Sequence, residues 1–355
     1  MKKVGIITLF DLNNFGNRLQ NYAVKYSIEK LGYKCDTLRI IRENDLTIQK
    51  EFIKALIGKY KDNRFYKFYK FSKENTSYIN IMSTKKVIPS SIEKQYDYFI
   101  TGSDQVWNSG YLNPANKELV LKERLLAFTD SNKRITYAPS FSLDDIPEVD
   151  KPLFKKELSK FNKIGVRENK GKEIVNNLIK KDAEVILDPT LMLTKEEWLN
   201  VSKNKFKNKK DYILQCFIVN SSELAREKIK EISESNNLEI IDVSDEASKY
   251  YNIGPSEFIE LVSKAKIICT DSFHAMVFSI IFEKPFIVFD RSDKKLKVDS
   301  RFDTLLSSLE IKNKLFKDGK EFNNELIFDS DYSQALKILE KKREKTMEFL
   351  KGSFN

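Results

Sequence analysis

Histidine and cysteine, the residues that most often bind zinc, are scarce in this sequence. One histidine occurs in 355 residues, and Cys35, Cys216 and Cys269 lack any metal-ligand spacing. These absences exclude a His-rich zinc site and a disulfide scaffold, and they indicate a reducing compartment. Cys216 and Cys269 fall within apolar segments, so we expect both thiols in the core.

Long apolar runs are lacking as well. Val4–Phe10 is too short for the core of a signal peptide, and no stretch approaches the roughly 20 apolar residues that span a bilayer. We therefore expect a soluble, cytoplasmic protein that is at most peripheral to the inner face of the membrane.

Apolar side chains and positive charge are plentiful. Apolar residues make up 41% of the chain and aromatic residues 12%, which excludes a disordered protein. The 62 basic and 52 acidic residues give a net charge of +10. This surplus favours an anionic partner, which is a phosphorylated small molecule, an anionic lipid or a nucleic acid.

Short β-branched and aromatic segments alternate with amphipathic helical segments, a pattern typical of parallel sheets with crossover helices. The alternation restarts after a charged stretch at 204–210. We predict an α/β protein with domains at 1–203 and 204–330, a ligand cleft between them, and a C-terminal helix at 331–355 that packs back across both. The predicted strands are Val4–Leu9, Cys35–Ile40, Tyr98–Thr101, Ile135–Ala138, Lys163–Val166, Glu184–Leu187, Tyr212–Val219, Leu238–Val243, Lys266–Thr270 and Pro285–Phe289.

The segment from Lys50 to Lys73 departs from this alternation. Eight basic residues in it are interleaved with seven Phe and Tyr residues. Such interleaving suits contact with a membrane surface or a nucleic acid, whereas a helical hairpin that buries its rings would give the same pattern. We interpret it as part of an insertion of about residues 49–95 in the first domain.

Two polar stretches follow predicted strands in the first domain. Asn13–Gln20 joins a glycine turn to a helix N-terminus, where free amides suit an anion or a sugar hydroxyl; the alternative is a turn with Asn17 as the N-cap. In Thr101–Asn108, Asp104 would point into the cleft and Trp107 would stack against a sugar. The alternative is that Ser103 or Asp104 serves only as a helix cap. Candidate substrate contacts in the two stretches are Asn14, Asn17, Arg18, Gln20, Ser103, Trp107 and Asn108.

Two further stretches carry chemistry at strand ends. Arg167 leaves a strand where a helix begins, so its fork could bind a carboxylate or phosphate, although surface Arg–Glu pairs are common. Thr270–Met276 contains His274, the one histidine, in the first turn of a helix that Ser272 or Asp271 would cap. A helix N-terminus favours anions, and histidine can exchange a proton near neutral pH, so we interpret His274 as functional.

Together these stretches resemble the polysaccharide pyruvyl transferase family. The most specific matches are Gly102–Asn108 and Asp271–His274. The sequence departs from the usual family pattern at Ser272, where an arginine is frequent, and at Ala275, where glycine is frequent. The other matching segments are Leu19–Ala23, Tyr137–Phe141, Val166–Glu168, Leu187–Leu191 and Lys284–Phe286.

The resemblance implies a fold like that of two-domain glycosyltransferases (GT-B), with two Rossmann-like domains. It also implies transfer of pyruvate from phosphoenolpyruvate to two hydroxyls of a sugar, forming a cyclic ketal and releasing phosphate. The acceptor would be a cell-surface glycan or its lipid-linked precursor, bound on the side of the first domain, with phosphoenolpyruvate on the side of the second. Phosphoenolpyruvate would act as a co-substrate, and no cofactor or metal is expected.

We expect three catalytic residues under this interpretation. His274 would be the acid/base or would stabilise the leaving phosphate, Asp104 would orient or deprotonate the acceptor, and Arg167 would neutralise the donor. We expect Ser272, Arg291 and Arg301 to contact the substrate. Since Ser272 stands where an arginine is usual, Arg167, Arg291 or Arg301 is expected to hold the donor phosphate.

Other functions remain open from the sequence. The same architecture could hold a glycosyltransferase with a nucleotide-sugar donor, for which Asp242 and Asp245 are unassigned acids in the second domain. A non-catalytic carbohydrate-binding homologue is a further alternative, and an oligomer is compatible with the sequence. A nucleic-acid partner would depend on charge alone and is not expected.

Overall fold

The chain divides into two compact units in a computed structural model. The structure describes residues 1–42, 50, 53–54, 56–57, 63–83, 88–209, 211–290, 300–316 and 326–354. Unit 1 comprises Met1–Lys54, Tyr69–Met192 and Glu340–Asn355, and unit 2 comprises Ala55–Phe68 and Leu193–Leu339.

Unit 1 is built on a five-stranded parallel sheet with strand order β3-β2-β1-β4-β5. The strands are short and rich in β-branched and aromatic residues, as buried parallel strands should be. Their bounds are β1 Lys3–Ile7, β2 Lys34–Arg42, β3 Tyr78–Ser83, β4 Tyr98–Thr101 and β5 Arg134–Thr136. The helices of this part of the chain are α1 Phe15–Lys30, α2 Arg64–Asn75, α3 Ser90–Glu93, α4 Lys117–Arg124 and α5 Lys151–Leu158.

A second, two-stranded parallel sheet in unit 1 pairs β6, Gly165–Val166, with β7, Glu184–Val185. Helix α6, Asn169–Ile179, connects them. Both strands are predicted from the sequence, but they form a sheet of their own. At Gly165 an added Cβ would lie 2.8 Å from the Phe349 ring, so glycine is needed for the C-terminal helix to pack here.

Unit 2 contains the second five-stranded parallel sheet, with strand order β12-β11-β10-β8-β9. Its strands are β8 Tyr212–Cys216, β9 Glu239–Asp242, β10 Ile267–Thr270, β11 Phe286–Phe289 and β12 Leu315–Phe316. Its helices are α7 Lys195–Leu199, α8 Glu223–Asn236, α9 Pro255–Lys264, α10 Phe273–Ile281 and α11 Ser300–Ser308. The predicted α/β class with parallel sheets and connecting helices is confirmed.

The C-terminal helix α12, Ser333–Lys351, contributes to both units. Its residues up to Leu339 group with unit 2, and those from Glu340 onward group with unit 1. Phe349, Leu350 and Phe354 belong to the core cluster that contains Val4 and Ile6 of β1. The helix therefore returns to the sheet with which the chain begins.

The boundary between the units differs from the predicted one at 203/204. Leu193–Lys203 group with unit 2, and the charged stretch after them is held on α9. Glu260 of that helix accepts hydrogen bonds from the backbone N–H groups of Lys205 (2.8 Å) and Phe206 (2.9 Å). Residues 204–209 have the composition of a linker because their side chains are exposed or partly exposed, while the backbone at Lys205 and Phe206 is anchored.

The basic and aromatic segment is partly a structural element. Within unit 2, Arg64 donates to the carbonyl oxygens of Val243 and Tyr251, both at 3.0 Å. Lys67 lies 3.8 Å from Glu257 in a pair whose side chains are 6% and 4% exposed. Lys70 and Lys73 are exposed. The burial of Arg64 and Lys67 supports the helical interpretation for this part of the segment.

The three cysteines are buried and not in disulfides. Burial raises the pKa of the Cys216 thiol to about 12, which keeps it protonated and unreactive at neutral pH. Both thiols expected in the core, those of Cys216 and Cys269, are therefore confirmed there. Among the described residues no helix is both long and apolar enough to cross a membrane.

Candidate functional site

The candidate residues of unit 1 collect at the carboxyl ends of β1 and β4. Strand β1 lies between β2 and β4, so the order of strands reverses between β1 and β4. In open parallel sheets such a switch point leaves a crevice at the strand ends, where ligands bind. The loops that leave these two strands contain Asn14 and Asp104, and Asn17 lies in the first turn of the helix that follows β1.

The loop after β1 ends in a capped helix. Asn14 is the N-cap of α1, and its side chain accepts a hydrogen bond from the Asn17 backbone N–H at 3.1 Å. The alternative of Asn17 as the cap is therefore wrong. Asn17 lies inside the first turn, so its side chain does not cap the helix. Its Nδ2 instead donates to Asp104 Oδ2 at 3.4 Å.

Asp104 occupies a strained backbone position after β4. Its φ angle is +68°, in the left-handed region that few residues other than glycine adopt. Its carbonyl oxygen accepts hydrogen bonds from the N–H groups of Val106 (2.8 Å) and Ser140 (2.9 Å), which hold this conformation. The strain turns the carboxylate toward Asn17 and Arg167.

Arg167 lies among three carboxylates. Its Nη1 donates to Asp188 at 2.8 Å, its Nη2 lies 3.7 Å from Asp104, and its Nε lies 4.0 Å from Glu168. The Arg167 side chain is 2% exposed, so it is not the open fork that the sequence predicts. Of the three acids, Asp104 alone has measurable access, with 11% of its side chain exposed against 0% for Asp188 and 1% for Glu168.

Three residues of the Gly-Ser-Asp-Gln-Val-Trp-Asn stretch have structural partners. Trp107 is fully buried against Phe141 and donates from Nε1 to a backbone carbonyl, so the predicted sugar-stacking role is wrong. Asn108 closes a turn by accepting the Gly110 N–H at 2.9 Å. Ser103 is buried within hydrogen-bond distance of the Ala138 carbonyl (2.8 Å) and Asp188 (3.0 Å). These three residues shape the loop that presents Asp104.

Arg18 and Gln20 are also buried. Arg18 is 0% exposed and its guanidinium donates to Asn17, Asn21 and the Leu9 carbonyl, which leaves the predicted direct contact with substrate without support. Gln20 donates from Nε2 to Thr8 Oγ1 at 2.8 Å. Its buried Oε1 accepts no hydrogen bond within the described residues.

The candidate residues of unit 2 lie at the equivalent place in their own sheet. Strand β8 is flanked by β9 and β10, so the switch point lies between the carboxyl ends of β8 and β10. Asp271, directly after β10, accepts the N–H groups of Ile218 (2.6 Å) and Val219 (3.3 Å) after β8. This buried carboxylate ties the two strand ends together.

Helix α10 starts at this switch point with its free backbone amides. Ser272 is the N-cap and accepts the Ala275 N–H at 3.4 Å, so its predicted capping alternative is confirmed. His274 is in the first turn and 6% exposed, with its ring 5.4 Å from that of Phe273. A helix N-terminus carries a partial positive charge that attracts anions.

Arg301, from α11, reaches the same place. Its guanidinium carbon lies 5.6 Å from the centroid of the Phe273 ring, and the residue is 3% exposed. The structure thus brings Phe273, His274 and Arg301 together within unit 2. Arg291, the other predicted phosphate contact of this unit, lies outside the described residues.

Comparison with known proteins decides the family. The polysaccharide pyruvyl transferase family model matches residues 14–293. The chain belongs to this family. The match contains the loops after β4, β8 and β10, and it makes the protein a transferase of polysaccharide synthesis. No curated protein matches the sequence.

The likeness of this chain to Arabidopsis thaliana UGT89C1 shows the GT-B fold. Arabidopsis thaliana UGT89C1, complexed with UDP-L-rhamnose, has a TM-score of 0.50 at 9% identity over 100% of this chain and 99% of its own. The UDP-GlcNAc 2-epimerase of Methanocaldococcus jannaschii has a TM-score of 0.48 at 15% identity, covering 95% and 92%. A variant of S. aureus TarM in complex with UDP has a TM-score of 0.46 at 11% identity, covering 100% of both chains.

Two acids of the Arg167 cluster in unit 1 were not assigned a role from the sequence. Asp188 and Glu168 both contact Arg167, and Glu168 also accepts hydrogen bonds from Ser140 Oγ (2.9 Å) and the Phe141 N–H (3.0 Å). Asp188 directly follows a predicted strand, which is the signal that could have identified it.

The two acids left unassigned in unit 2 have local roles. Asp242 accepts hydrogen bonds from Gln215 Nε2 (2.6 Å) and from Ser244 N–H and Oγ, both at 2.7 Å. Asp245 accepts the Ala247 N–H at 2.9 Å. Both carboxylates therefore stabilise the turn after β9.

Proposed function

We propose that the protein transfers pyruvate from phosphoenolpyruvate to two hydroxyls of a sugar, forming a cyclic ketal and releasing phosphate. The observation that carries this proposal is the cluster of His274, Arg301 and the α10 N-terminus at the unit 2 switch point. Membership of the polysaccharide pyruvyl transferase family supports this reaction type.

The cluster in unit 2 suits the donor phosphate. Arg301 carries a permanent positive charge in a planar fork, and the first amides of α10 add the positive end of the helix dipole. Together they would neutralise a phosphate that gains charge as it leaves, which is the usual source of electrostatic catalysis. Phosphoenolpyruvate supplies its own electrophilic carbon, so this scheme requires no cofactor and no metal.

His274 is proposed as the acid/base. It would place a proton on the methylene carbon of phosphoenolpyruvate, so that positive charge develops on the carbon bearing phosphate. One sugar hydroxyl would bond to that carbon and lose its proton, and the bond to phosphate would break. The neighbouring hydroxyl would then close the ketal and lose its proton, and the phosphate would leave with one proton.

Asp104 is proposed to remove the proton from the acceptor hydroxyl. It is the accessible carboxylate of its cluster, and donors on both sides favour its ionised form. Gln20 Oε1, which has no donor among the described residues, would accept a hydrogen bond from a second sugar hydroxyl. Asn14 and Asn17 are proposed to contact the same acceptor.

Arg167 is proposed to offset the negative charge of Asp104 and of the donor carboxylate. Its Nη1 donates to Asp188 and its Nη2 lies 3.7 Å from Asp104, so its positive charge acts within this cluster of carboxylates. This arrangement stabilises charge without committing the whole fork to the substrate.

The acceptor is proposed to be a glycan or its lipid-linked precursor, met at the cytoplasmic face of the membrane. Ile53, Leu56 and Ile57 are helical residues with 51–58% of their surface exposed, and Lys50 and Lys54 beside them are exposed as well. Apolar side chains flanked by lysines are typical of peripheral contact with anionic lipid.

Phosphate release tests the proposal. The protein is incubated with phosphoenolpyruvate and a panel of nitrophenyl and lipid-linked glycosides, and both phosphate and the ketal methyl signal are followed by NMR. Equal amounts of phosphate and ketal are expected for at least one acceptor. Release of UDP from UDP-sugars, with phosphoenolpyruvate unchanged, would instead indicate a glycosyltransferase.

A further inference from the structure

The two donors that flank Asp104 are each held by a second buried residue. Asn17 Nδ2 donates to Asp104 Oδ2, and Arg167 Nη2 lies 3.7 Å from Asp104 Oδ1. Arg18 donates to the side-chain oxygen of Asn17, and Asp188 accepts a hydrogen bond from Arg167. Neither of these outer residues is exposed.

Arg18 decides which way the Asn17 amide points. Its Nε and Nη2 donate to Asn17 Oδ1 at 3.1 and 2.5 Å. Because arginine has donors only, the atom that it meets must be the amide oxygen, and the NH₂ group must face Asp104. Arg18 is itself fixed by Asn21 Oδ1 (3.3 Å) and by the Phe10 ring, whose centroid lies 4.2 Å from its guanidinium carbon.

Asp188 fixes the Arg167 guanidinium in the same manner. Its Oδ2 accepts from Arg167 Nη1 at 2.8 Å, and its Oδ1 accepts from Thr190 N–H (2.9 Å) and Oγ1 (2.6 Å). With Asp188 anchored on the turn after β7, Nη1 is immobilised, and the planar guanidinium then places Nη2 beside Asp104.

We propose that Arg18 and Asp188 are positioning residues that hold Asn17 and Arg167 on the two oxygens of Asp104, so that Asp104 stays ionised and oriented toward the acceptor. This inference rests on the proposed function, in which Asp104 takes the acceptor proton. Neither residue would touch substrate, since both act through the neighbour that they bind.

Kinetics of Arg18→Gln and Asp188→Asn test the inference, with Arg226→Gln and Asp182→Asn as surface controls. Each test variant should lower kcat about 10- to 100-fold through misplacement of Asp104, while the donor KM stays within about twofold. In Arg18→Gln the acidic limb of the pH–rate profile should move to higher pH by about one unit, because a nearby positive charge is removed and a donor to the Asp104 carboxylate is weakened.

A conservative variant separates positioning from a merely structural role. Arg18→Lys keeps the charge but loses the fork, and it should behave like Arg18→Gln. Wild-type kcat in Asp188→Asn or in Arg18→Lys, or an acidic limb unchanged in Arg18→Gln, would overturn the inference.

The Asn17 amide gives a readout that is independent of activity. In ¹H–¹⁵N NMR the Asn17 NH₂ pair should be protected from exchange, should shift in Asp104→Asn, and should lose protection in Arg18→Gln. A wild-type protein without turnover would refute the proposed function but would leave this measurement valid. An Asn17 signal indifferent to both substitutions would refute the inference.

Discussion

The strand ends of the two units carry different charged groups. In unit 1, Asp104 after β4 lies with Asp188 and Glu168, which follow the strands of the two-stranded sheet, around Arg167. In unit 2, the α10 amides, His274 and Arg301 lie beside Asp271, whose carboxylate is bound to backbone N–H groups. Topology makes both edges binding places, whereas side chains decide what binds. A cluster of oriented carboxylates suits removal of a proton from a neutral sugar, and a cationic helix start suits an anion.

The largest effect is expected from His274→Ala in unit 2. Loss of the acid/base should lower kcat by 10²–10⁴-fold, while the melting temperature stays close to that of the wild type. Phosphate release and a thermal melt check both parts. More than about a tenth of wild-type activity would show that His274 is not the acid/base.

Asp104 is the matching test in unit 1. Asp104→Asn keeps the shape but not the charge, and kcat should fall about 10²-fold with little change in donor KM. Asp104→Gly should be equally inactive yet more stable by up to about 1 kcal/mol, because glycine tolerates the positive φ. A glycine variant that is less stable than Asp104→Asn would contradict the assignment of strain to this position.

The two arginines should separate donor affinity from turnover. Arg301→Lys should raise the donor KM about tenfold, since a fork that is proposed to hold the phosphate is replaced by a point charge. Arg167→Lys should raise the donor KM less and lower kcat more, because Arg167 is shared with Asp188 and Asp104. Initial rates at varied phosphoenolpyruvate measure both constants, and the reverse order would break the comparison between the units.

Unit 1 should also depend on pH through a buried pair away from the site. Burial alone would raise the pKa of Glu157, but hydrogen bonds from Arg134 and Lys160 outweigh it and leave that pKa below its ordinary value of 4.5. The stabilisation is therefore complete above about pH 4.5 and disappears as the pH falls through the folded value.

Glu157→Gln should accordingly lower the free energy of unfolding by about 2 kcal/mol at pH 7, with the difference from wild type shrinking below pH 4. Urea melts at several pH values measure it. Glu173→Gln, which removes an exposed ion pair with Lys170 on α6, should change the free energy of unfolding little and serves as the control. A difference independent of pH would show that the charge of Glu157 is not what stabilises unit 1.

The smallest effect is expected at the membrane. Lys50→Glu with Lys54→Glu should weaken sedimentation with anionic vesicles severalfold, at roughly 1 kcal/mol per lysine, and leave neutral vesicles unaffected. Lys70→Glu with Lys73→Glu is the control on exposed lysines of α2. Lys67 is unsuitable, because its loss would leave Glu257 without its partner. Equal binding to both vesicle types would refute a charge-dependent contact.

Much of the fold could be predicted from the sequence, because hydrophobic periodicity and turn residues indicate local structure. Tyr98–Thr101 is a strand with the predicted bounds, and the helix after Ser272 starts where its cap places it. Strand β3 was missed, because half of its side chains face solvent and its pattern is weak. The unit boundary was missed because residues 193–203 are held by tertiary packing that composition does not reveal.

The site was predicted less completely. Polar residues at strand ends identified Asp104, Arg167 and His274, since parallel strands bring such residues to one edge. Burial could not be predicted from the sequence. Trp107 and Arg18 have side chains that suit ligand binding, yet both are fully buried by the residues packed around them. A partner such as Asp188, distant from Arg167 in sequence, can be recognised only once the loops are placed.

Calorimetric titration of phosphoenolpyruvate into the wild-type protein, Arg301→Lys and Asp104→Asn tests the division of roles most directly. The donor Kd should rise about tenfold in Arg301→Lys and stay within about twofold of wild type in Asp104→Asn. Donor binding that is lost in Asp104→Asn and retained in Arg301→Lys would place the anion in unit 1 and contradict the account.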